Sequence, residues 1–245
     1  MRKTASLRRV WWPVLLSLCV SANAFALTGN ITNLSGAVIA KRLDGQSRIL
    51  SLKSEVFEGD LLATAENSYA RIKFSDGTEV VLRPGTQLKI DSFKYEAQNP
   101  DKDNMAMSLL KGGLRSVTGL LGRRNPASFN LATPNATIGI RGTNFGAMFC
   151  NNDCGRVQMP GGGAPPNGLH VDVADGAIVV RTSVGAAEFR VGQFGYVATP
   201  NTPPVVVPAQ QGARVTLPPQ ATGTQTSPAG SGVGKTDAQE CKLGS

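Results

Sequence analysis

Apolar and polar residues alternate with a period of two through most of the chain between residues 27 and 198. One short segment separates its side chains onto opposite faces, with Ala70, Ile72 and Phe74 against Arg71 and Lys73. This alternation is typical of β-strands with one buried face. Dipeptides that favour tight turns lie between the segments, at Asp44-Gly45, Asp76-Gly77 and Pro84-Gly85. No segment has the period of an amphipathic helix, so the pattern predicts one all-β domain over residues 27–198.

The segment 132–149 has the most distinctive pattern. A rigid corner is followed by alternating apolar residues and a glycine-containing triplet, in the order Thr133, Pro134, Arg141, Gly142, Thr143 and Phe145. Glycine within a strand permits the close approach of a second backbone. We therefore expect neighbouring strands to lie unusually close together here, and we interpret these residues as structural.

Arg141 is a charged residue among predicted core strands. A charge in such a position requires an ion pair or hydrogen bonds. We expect Arg141 to pair with Asp60 or Asp76 and to hold neighbouring turns together, so that its replacement by alanine would destabilise the domain.

Residues 1–26 have the features of an export signal. Four basic residues precede an apolar run from Val10 to Val20, which leads to Ala24-Phe25-Ala26. The run is shorter than the ~20 residues that a membrane-spanning helix needs. We therefore expect cleavage after Ala26 rather than an uncleaved anchor, and a periplasmic or secreted mature chain without a transmembrane segment.

Residues 199–245 differ in composition from the predicted domain. They are rich in Pro, Gln, Thr and Gly and nearly devoid of aromatic residues. Such a composition provides too little apolar surface to offset the entropy of ordering the chain. We expect a disordered C-terminal tail that begins at Thr199.

Three cysteines remain after cleavage of the signal: Cys150, Cys154 and Cys241. An oxidising compartment favours a disulfide between Cys150 and Cys154. An extended strand would hold their Cα atoms too far apart for a bond, so we expect the strand to end at Cys150. Cys241 would then be a free or intermolecular thiol.

The charge of the chain argues against one class of partner. The formal charge is +8, and removal of residues 1–26 leaves 21 basic and 17 acidic residues, a charge of +4. Nucleic-acid recognition needs a more concentrated basic face. The most basic stretch, residues 111–124, is expected to be a solvated loop whose arginines are candidates for contact with a partner or an anionic envelope polymer: Arg115, Arg123 and Arg124.

The candidates for catalysis are few. His170 is the single histidine, so sites that need two imidazoles are excluded. No serine lies in a nucleophile-elbow sequence. Alternation with Leu169 and Val171 puts His170 and Asp172 on the opposite, solvent-facing side of a strand. We expect no enzymatic activity.

Two metal sites remain as alternatives. Zinc-binding residue types occur close together, at Cys150, Asp153, Cys154 and His170, but the oxidising compartment favours the disulfide. Met105 and Met107 carry thioethers that suit Cu(I). Alternate methionines in a strand are more often core residues, so we expect neither a metal nor a cofactor.

The order of the motifs resembles that of FecR-like periplasmic domains. The matching residues are Gly36-Ala37-Val38, then Gly59, Asp60 and Thr64, then Phe74, Asp76 and Gly77, then Lys111 to Arg115, then Thr133-Pro134 with Arg141-Gly142-Thr143 and Phe145, and finally Gly176, Gly192 and Gln193. The resemblance covers nearly all of the predicted domain. It implies an all-β, solenoid-like or wound β-sheet fold.

The resemblance also implies a non-catalytic role outside the inner membrane. In the best-known members the domain senses an occupied outer-membrane receptor, and those members carry a cytoplasmic anti-sigma segment and a spanning helix. Too few residues precede the apolar run here to provide such a segment. We therefore expect a stand-alone exported member for which sigma-factor regulation is not implied.

The expected function is that of a protein- or ligand-binding and signalling module of the cell envelope. Its expected partner is an envelope protein that contacts the β edges or the basic stretch 111–124. The alternative is a structural module that attaches to peptidoglycan or surface polysaccharide.

Overall fold

The computed structural model describes residues 27–42 and 44–217. Within these ranges, fifteen strands are hydrogen-bonded into one continuous sheet, which confirms the all-β prediction. The export signal predicted for residues 1–26 lies outside the described residues. In the described part of the chain, no helix has the length and apolar character needed to cross a bilayer.

The first half of the domain contains eight strands. They are β1 (Leu27–Ser35), β2 (Val38–Lys41), β3 (Ser47–Ile49), β4 (Glu55–Phe57), β5 (Leu61–Thr64), β6 (Tyr69–Phe74), β7 (Glu79–Leu82) and β8 (Gln87–Lys94). The predicted Asp76-Gly77 turn joins β6 to β7 as an antiparallel hairpin. Pro84-Gly85 does not form a hairpin, because β7 and β8 both pair with the following strand.

The second half contains longer strands and one short helix, α1 (Leu120–Arg124). The strands are β9 (Asn104–Val117), β10 (Phe129–Ala132), β11 (Thr137–Cys150), β12 (Gly168–Thr182), β13 (Gly185–Arg190), β14 (Phe194–Val197) and β15 (Val205–Val207). Short 3₁₀ turns occur at Pro100–Lys102 and Pro126–Ser128.

The sheet folds into two layers because β9, β11 and β12 continue from one layer into the other. In the first layer the strand order is β3-β2-β5-β8-β9-β10-β11-β12-β13. In the second layer it is β4-β1-β6-β7-β9-β11-β12-β14-β15. Each long strand contains one glycine in a left-handed conformation between its two halves: Gly112 (φ 76°), Gly142 (φ 60°) and Gly176 (φ 72°).

The main hydrophobic core of the described residues lies between the layers. Phe129 of the first layer meets Phe145 of the second edge-to-face, with ring centroids 6.3 Å apart. Met105 and Met107 are fully buried in this core, as the core interpretation of the two methionines predicts. The alternation seen in the sequence thus describes the inner faces of both layers.

The ordered chain continues beyond the boundary predicted at residue 198. β15 pairs with β14 at the edge of the second layer. Residues 212–217, which we name the C-terminal strap, then cross the outer face of that layer. Ala213 and Val215 are buried there, and Leu217 packs against β6 and β7.

The disorder predicted from Thr199 is therefore wrong for residues 199–217. The composition of the whole tail is polar, but alternate apolar residues of the strap supply enough surface to bury. A Cβ on Gly146 of β11 would lie 2.4 Å from Cβ of Val215, so this glycine makes room for the strap. The remaining part of the predicted tail, residues 218–245 with Cys241, lies outside the described residues.

Candidate functional site

A pocket of about 500 Å³ opens where four segments of the chain meet. They are the turn at Glu66-Asn67, the Pro84-Gly85 turn, the bend of β9 at Gly112 and the loop after Cys150. At Gly112 a side chain is excluded, because a Cβ would lie 2.7 Å from Cα of Thr86. Backbone rather than side chains therefore forms much of this wall.

The loop over the pocket is closed by a disulfide between Cys150 and Cys154. β11 ends at Cys150, so both parts of the cysteine prediction are confirmed. Because the two sulfurs are bonded to each other, the alternative zinc site loses two of its four ligands in this structure. Asp153 instead accepts a hydrogen bond from the backbone N–H of Asn151 at 2.8 Å.

Two ion pairs cross the pocket from the disulfide loop, one to the turn before β6 and one to β9. Arg156 Nη2 lies 2.8 Å from Glu66 Oε2, and Lys111 Nζ lies 3.7 Å from Asp153 Oδ2. The side chains of Arg156, Glu66 and Lys111 are at least 50% exposed, and that of Asp153 is 23% exposed. Each pair therefore contributes little to stability. Their effect is to place charges of both signs around the opening.

Arg83 projects from the end of β7 toward this pocket. Its backbone is fixed, since its N–H donates to Gly113 O at 2.9 Å and its carbonyl accepts from Thr64 Oγ1 at 2.6 Å. Its Nη1 lies 3.4 Å from Met148 Sδ, a weak acceptor. Burial lowers the pKa of Arg83, and the charge of Asp172 opposes that shift.

Arg115 lies in β9 rather than in a solvated loop. Its side chain is 14% exposed and forms an ion pair with Asp172. Arg115 Nε also donates to the carbonyl of Val215 at 3.1 Å, and Asp172 Oδ1 accepts from the N–H of Val215 at 2.8 Å. The pair therefore binds both backbone groups of one strap residue, and Arg115 is not available as the free contact that the sequence predicted.

Arg123 and Arg124 lie on α1, so the loop prediction for residues 111–124 is wrong at both ends. Arg123 is exposed. Arg124 forms a two-pronged contact with Asp103, with Nε to Oδ2 and Nη2 to Oδ1 both at 2.7 Å. The hydrogen bond from Arg124 lowers the pKa of Asp103. Of the three predicted contact arginines, only Arg123 keeps an exposed side chain.

The predicted partners of Arg141 are wrong. Ile138 and Ile140 occupy the inner face of β11, so alternation places Arg141 outside, where its side chain is 67% exposed and lies 3.4 Å from Glu188. Asp60 is instead bound by Arg48. The acceptor groups of Asp76 are engaged by backbone and hydroxyl donors of Thr78 and by the N–H of Leu121.

The other residues of the segment 132–149 have structural contacts. Thr133 Oγ1 bonds both backbone groups of Ala136 at 2.8 and 3.0 Å and so closes the corner at Pro134. The N–H of Thr143 donates to Thr118 Oγ1 at 3.1 Å. Phe145 is fully buried in the core.

His170 is buried rather than solvent-facing, which corrects the sequence prediction. Its Nε2 lies 2.8 Å from the carbonyl of Pro166, and its ring lies 4.9 Å from that of Tyr196. Burial lowers the pKa of His170. The prediction failed because the strap and the disulfide loop cover a sheet face that alternation alone marks as exposed.

An apolar edge lies at the end of the first layer. Ile49 of β3 is 83% exposed, and its register partner Ile39 of β2 is 41% exposed. Among the described strands, β3 pairs with β2 alone. Arg48, which precedes Ile49 in β3, forms an ion pair with Asp60. This edge therefore combines unpaired backbone groups with exposed isoleucine side chains.

One family model matches the middle of the chain. Residues 60–179 match the family model described as FecR protein. No curated protein matches the chain significantly.

Two sets of solved structures align with the chain. Two crystal structures of a "putative anti-sigma factor" from Parabacteroides distasonis ATCC 8503 align at 15% identity with a TM-score of 0.45, over 62% of this chain and 60% of that chain. A structure described as a cell surface anchoring domain aligns at 34% identity with a TM-score of 0.25, over 25% of this chain and 82% of that chain. The chain thus spans less than two thirds of the anti-sigma structures.

Proposed function

Because residues 60–179 match the FecR family model, we propose that this protein is a non-catalytic binding module of the cell envelope, whose partner is another envelope protein. The family match supports a signalling or regulatory role. The predicted export signal and the disulfide support a periplasmic or secreted location.

The apolar edge of β3 is the observation that carries this proposal. Edge strands of soluble proteins are normally very short or are protected by charged residues, proline or bulges. β3 is short, with three residues, but it has no proline and its Ile49 is exposed. β3 has the sequence Ser47-Arg48-Ile49, and its one charge is engaged by Asp60. A partner strand that pairs with β3 would gain main-chain hydrogen bonds and cover Ile49 and Ile39.

The test is a binding measurement with two matched variants. Exported wild-type protein is used to isolate an envelope partner, and the complex is then rebuilt from purified components. In the edge variant Ile39 and Ile49 are both replaced by lysine. In the control variant Val184 and Val191, which are 56% and 59% exposed, are replaced by lysine. We expect the edge variant to bind at least about tenfold more weakly, and unchanged binding by this variant would contradict the proposal.

Attachment to an anionic envelope polymer is the second candidate. The excess of basic residues over acidic ones after residue 26 favours it. Purified cell wall should then pellet the protein at low salt and release it at high salt. Failure to pellet at low salt would exclude this candidate without affecting the first.

A further inference from the structure

Arg83 lines the pocket beside the disulfide loop and has no carboxylate within 4.0 Å in the described part of the chain, so the charge of Asp172 acts on it only from a greater distance. The other half-buried arginines in the described part of the chain each lie within 4.0 Å of a carboxylate: Arg42 and Arg48 at Asp60, Arg71 at Glu79, Arg115 at Asp172, and Arg124 at Asp103. Arg83 contacts Met148 Sδ instead. A guanidinium has five N–H donors, and a thioether is a poor acceptor for even one of them.

Arg83 destabilises the folded protein, because its guanidinium is partly buried without a carboxylate at ion-pair distance. Desolvation disfavours its charged form. A residue that served only the fold would be better replaced by an apolar side chain of similar length. The arrangement therefore points to a ligand that supplies the missing negative charge.

The walls of the pocket indicate the charge, polarity and size of the ligand. Lys111 and Arg156 are each paired with an acidic residue of the opposite wall, so Arg83 leaves the pocket with one net positive charge. Met148 and Val157 add apolar surface, and Gly85 and Gly113 leave space because they have no side chains. A volume of about 500 Å³ lies within the range of pockets that hold small organic ligands.

We propose that this pocket binds a single carboxylate group, held by the guanidinium of Arg83, on a ligand with a small neutral or apolar body. Guanidinium and carboxylate match in a two-pronged geometry that an ammonium group does not reproduce. The carboxylate belongs either to a sugar acid or to the C-terminus of a short peptide. The inference goes beyond the proposed function, since Ile39 and Ile49 do not line the pocket.

Calorimetric titration with four small probes tests the site. The acids are N-acetyl-alanyl-alanine and sodium glucuronate, and their uncharged counterparts are the C-terminal amide of the peptide and glucose. We expect one acid to bind and its uncharged counterpart not to bind, which identifies the source of the carboxylate. The absence of binding by both acids at about 10 mM, or equal binding by an uncharged counterpart, would overturn the proposal.

Variants at position 83 separate a binding role from a structural one. We expect Arg83→Gln to weaken binding of the acid at least about tenfold, and Arg83→Lys to weaken it less. The control Arg190→Gln changes an exposed arginine outside the pocket and should bind as wild type does. Undiminished binding by Arg83→Gln would overturn the proposal.

Stability without ligand gives a second readout. Arg83→Met should be at least as stable as wild type toward denaturant, because it removes a half-buried charge that has no directly paired carboxylate. A strongly destabilised Arg83→Met protein would assign Arg83 to the fold and overturn the proposal. The edge variant with lysine at positions 39 and 49 should keep full affinity for the acid, so failure of the pocket and failure of the protein-binding edge are distinguished.

Discussion

A Cβ atom on Gly176 would lie 2.2 Å from the carbonyl oxygen of Gly142. The two glycines belong to neighbouring strands, β12 and β11, and both have a left-handed backbone. They occupy the point at which these strands pass from one layer into the other. The close backbone contact expected in the segment 132–149 is thus made between this pair.

Alanine substitutions at these two positions should have unequal effects. Gly142→Ala should lower the free energy of unfolding by about 1–2 kcal/mol, the cost of a left-handed alanine. No further loss is expected, because nothing lies within 4 Å of its Cβ position. Gly176→Ala should lose the same amount of unfolding free energy, and its Cβ would also clash with a backbone oxygen. The clash should add about 2 kcal/mol or more of destabilisation. Chemical denaturation of both variants measures the difference, and equal destabilisation would contradict the close contact.

The buried ion pair of Arg115 should matter more than the exposed pair of Arg141. Arg115→Gln leaves the buried carboxylate of Asp172 without its cation and should cost about 3 kcal/mol of unfolding free energy. Arg141→Ala removes an exposed pair with Glu188 and should change stability by no more than about 0.5 kcal/mol. Thermal or urea unfolding compares the two, and the reverse ranking would restore the role that the sequence suggested for Arg141.

The strap should stabilise the domain, which a comparison of two C-terminal truncations can show. A chain that ends at Gln211 loses the burial of Val215 and its hydrogen bonds to Arg115 and Asp172. We expect a loss of about 3 kcal/mol. A chain that ends at Leu217 keeps every described contact and serves as the control. Equal stability of the two truncated proteins would show that the strap does not hold the second layer.

His170 should make the domain less stable in mild acid. Its Nε2–H donates to the Pro166 carbonyl, and burial holds its folded pKa below the ordinary value of 6.5. The unfolded chain therefore takes up a proton as the pH falls through about 6.5, while the folded protein resists protonation. Stability is full above that pH and declines below it toward the folded pKa.

The matched variant for this pH effect is His170→Gln. Glutamine can still donate to the Pro166 carbonyl but does not titrate. Unfolding free energies between pH 7 and pH 5 should fall more steeply for wild type than for the variant. Parallel pH profiles would show that His170 protonates as readily in the folded protein as in the unfolded chain.

The sequence predicted the inner faces of the sheet because period-two alternation reports burial on one side of a strand. It could not reveal that the outer face of the second layer is also covered. That cover comes from the strap and the disulfide loop, which are remote in sequence from β12, so His170 and Asp172 were expected at the surface. Gly146 was the one sequence signal for the strap, because a Cβ at this position would clash with Val215. The alternation of apolar and polar residues gives no reason for this glycine.

The disulfide and the glycine-dependent contact were predictable because each depends on local geometry. The partners of Arg141, Asp60 and Asp76 were not, because each depends on which strands the fold brings together. The sequence carries no signal for Arg83, since its importance rests on the absence of a carboxylate within ion-pair distance. The apolar edge was equally hidden, because Ile49 follows an ordinary alternating pattern and only the sheet order shows that β3 has a free side.

Hydrogen–deuterium exchange of the free protein and of its complex with the envelope partner tests the binding proposal most directly. If a partner strand pairs with β3, amide protection should increase at Ser47–Ile49 and change little at the opposite edge, Val205–Val207. A complex in which Ser47–Ile49 exchanges as fast as in the free protein would contradict the proposal that this edge is where the module binds.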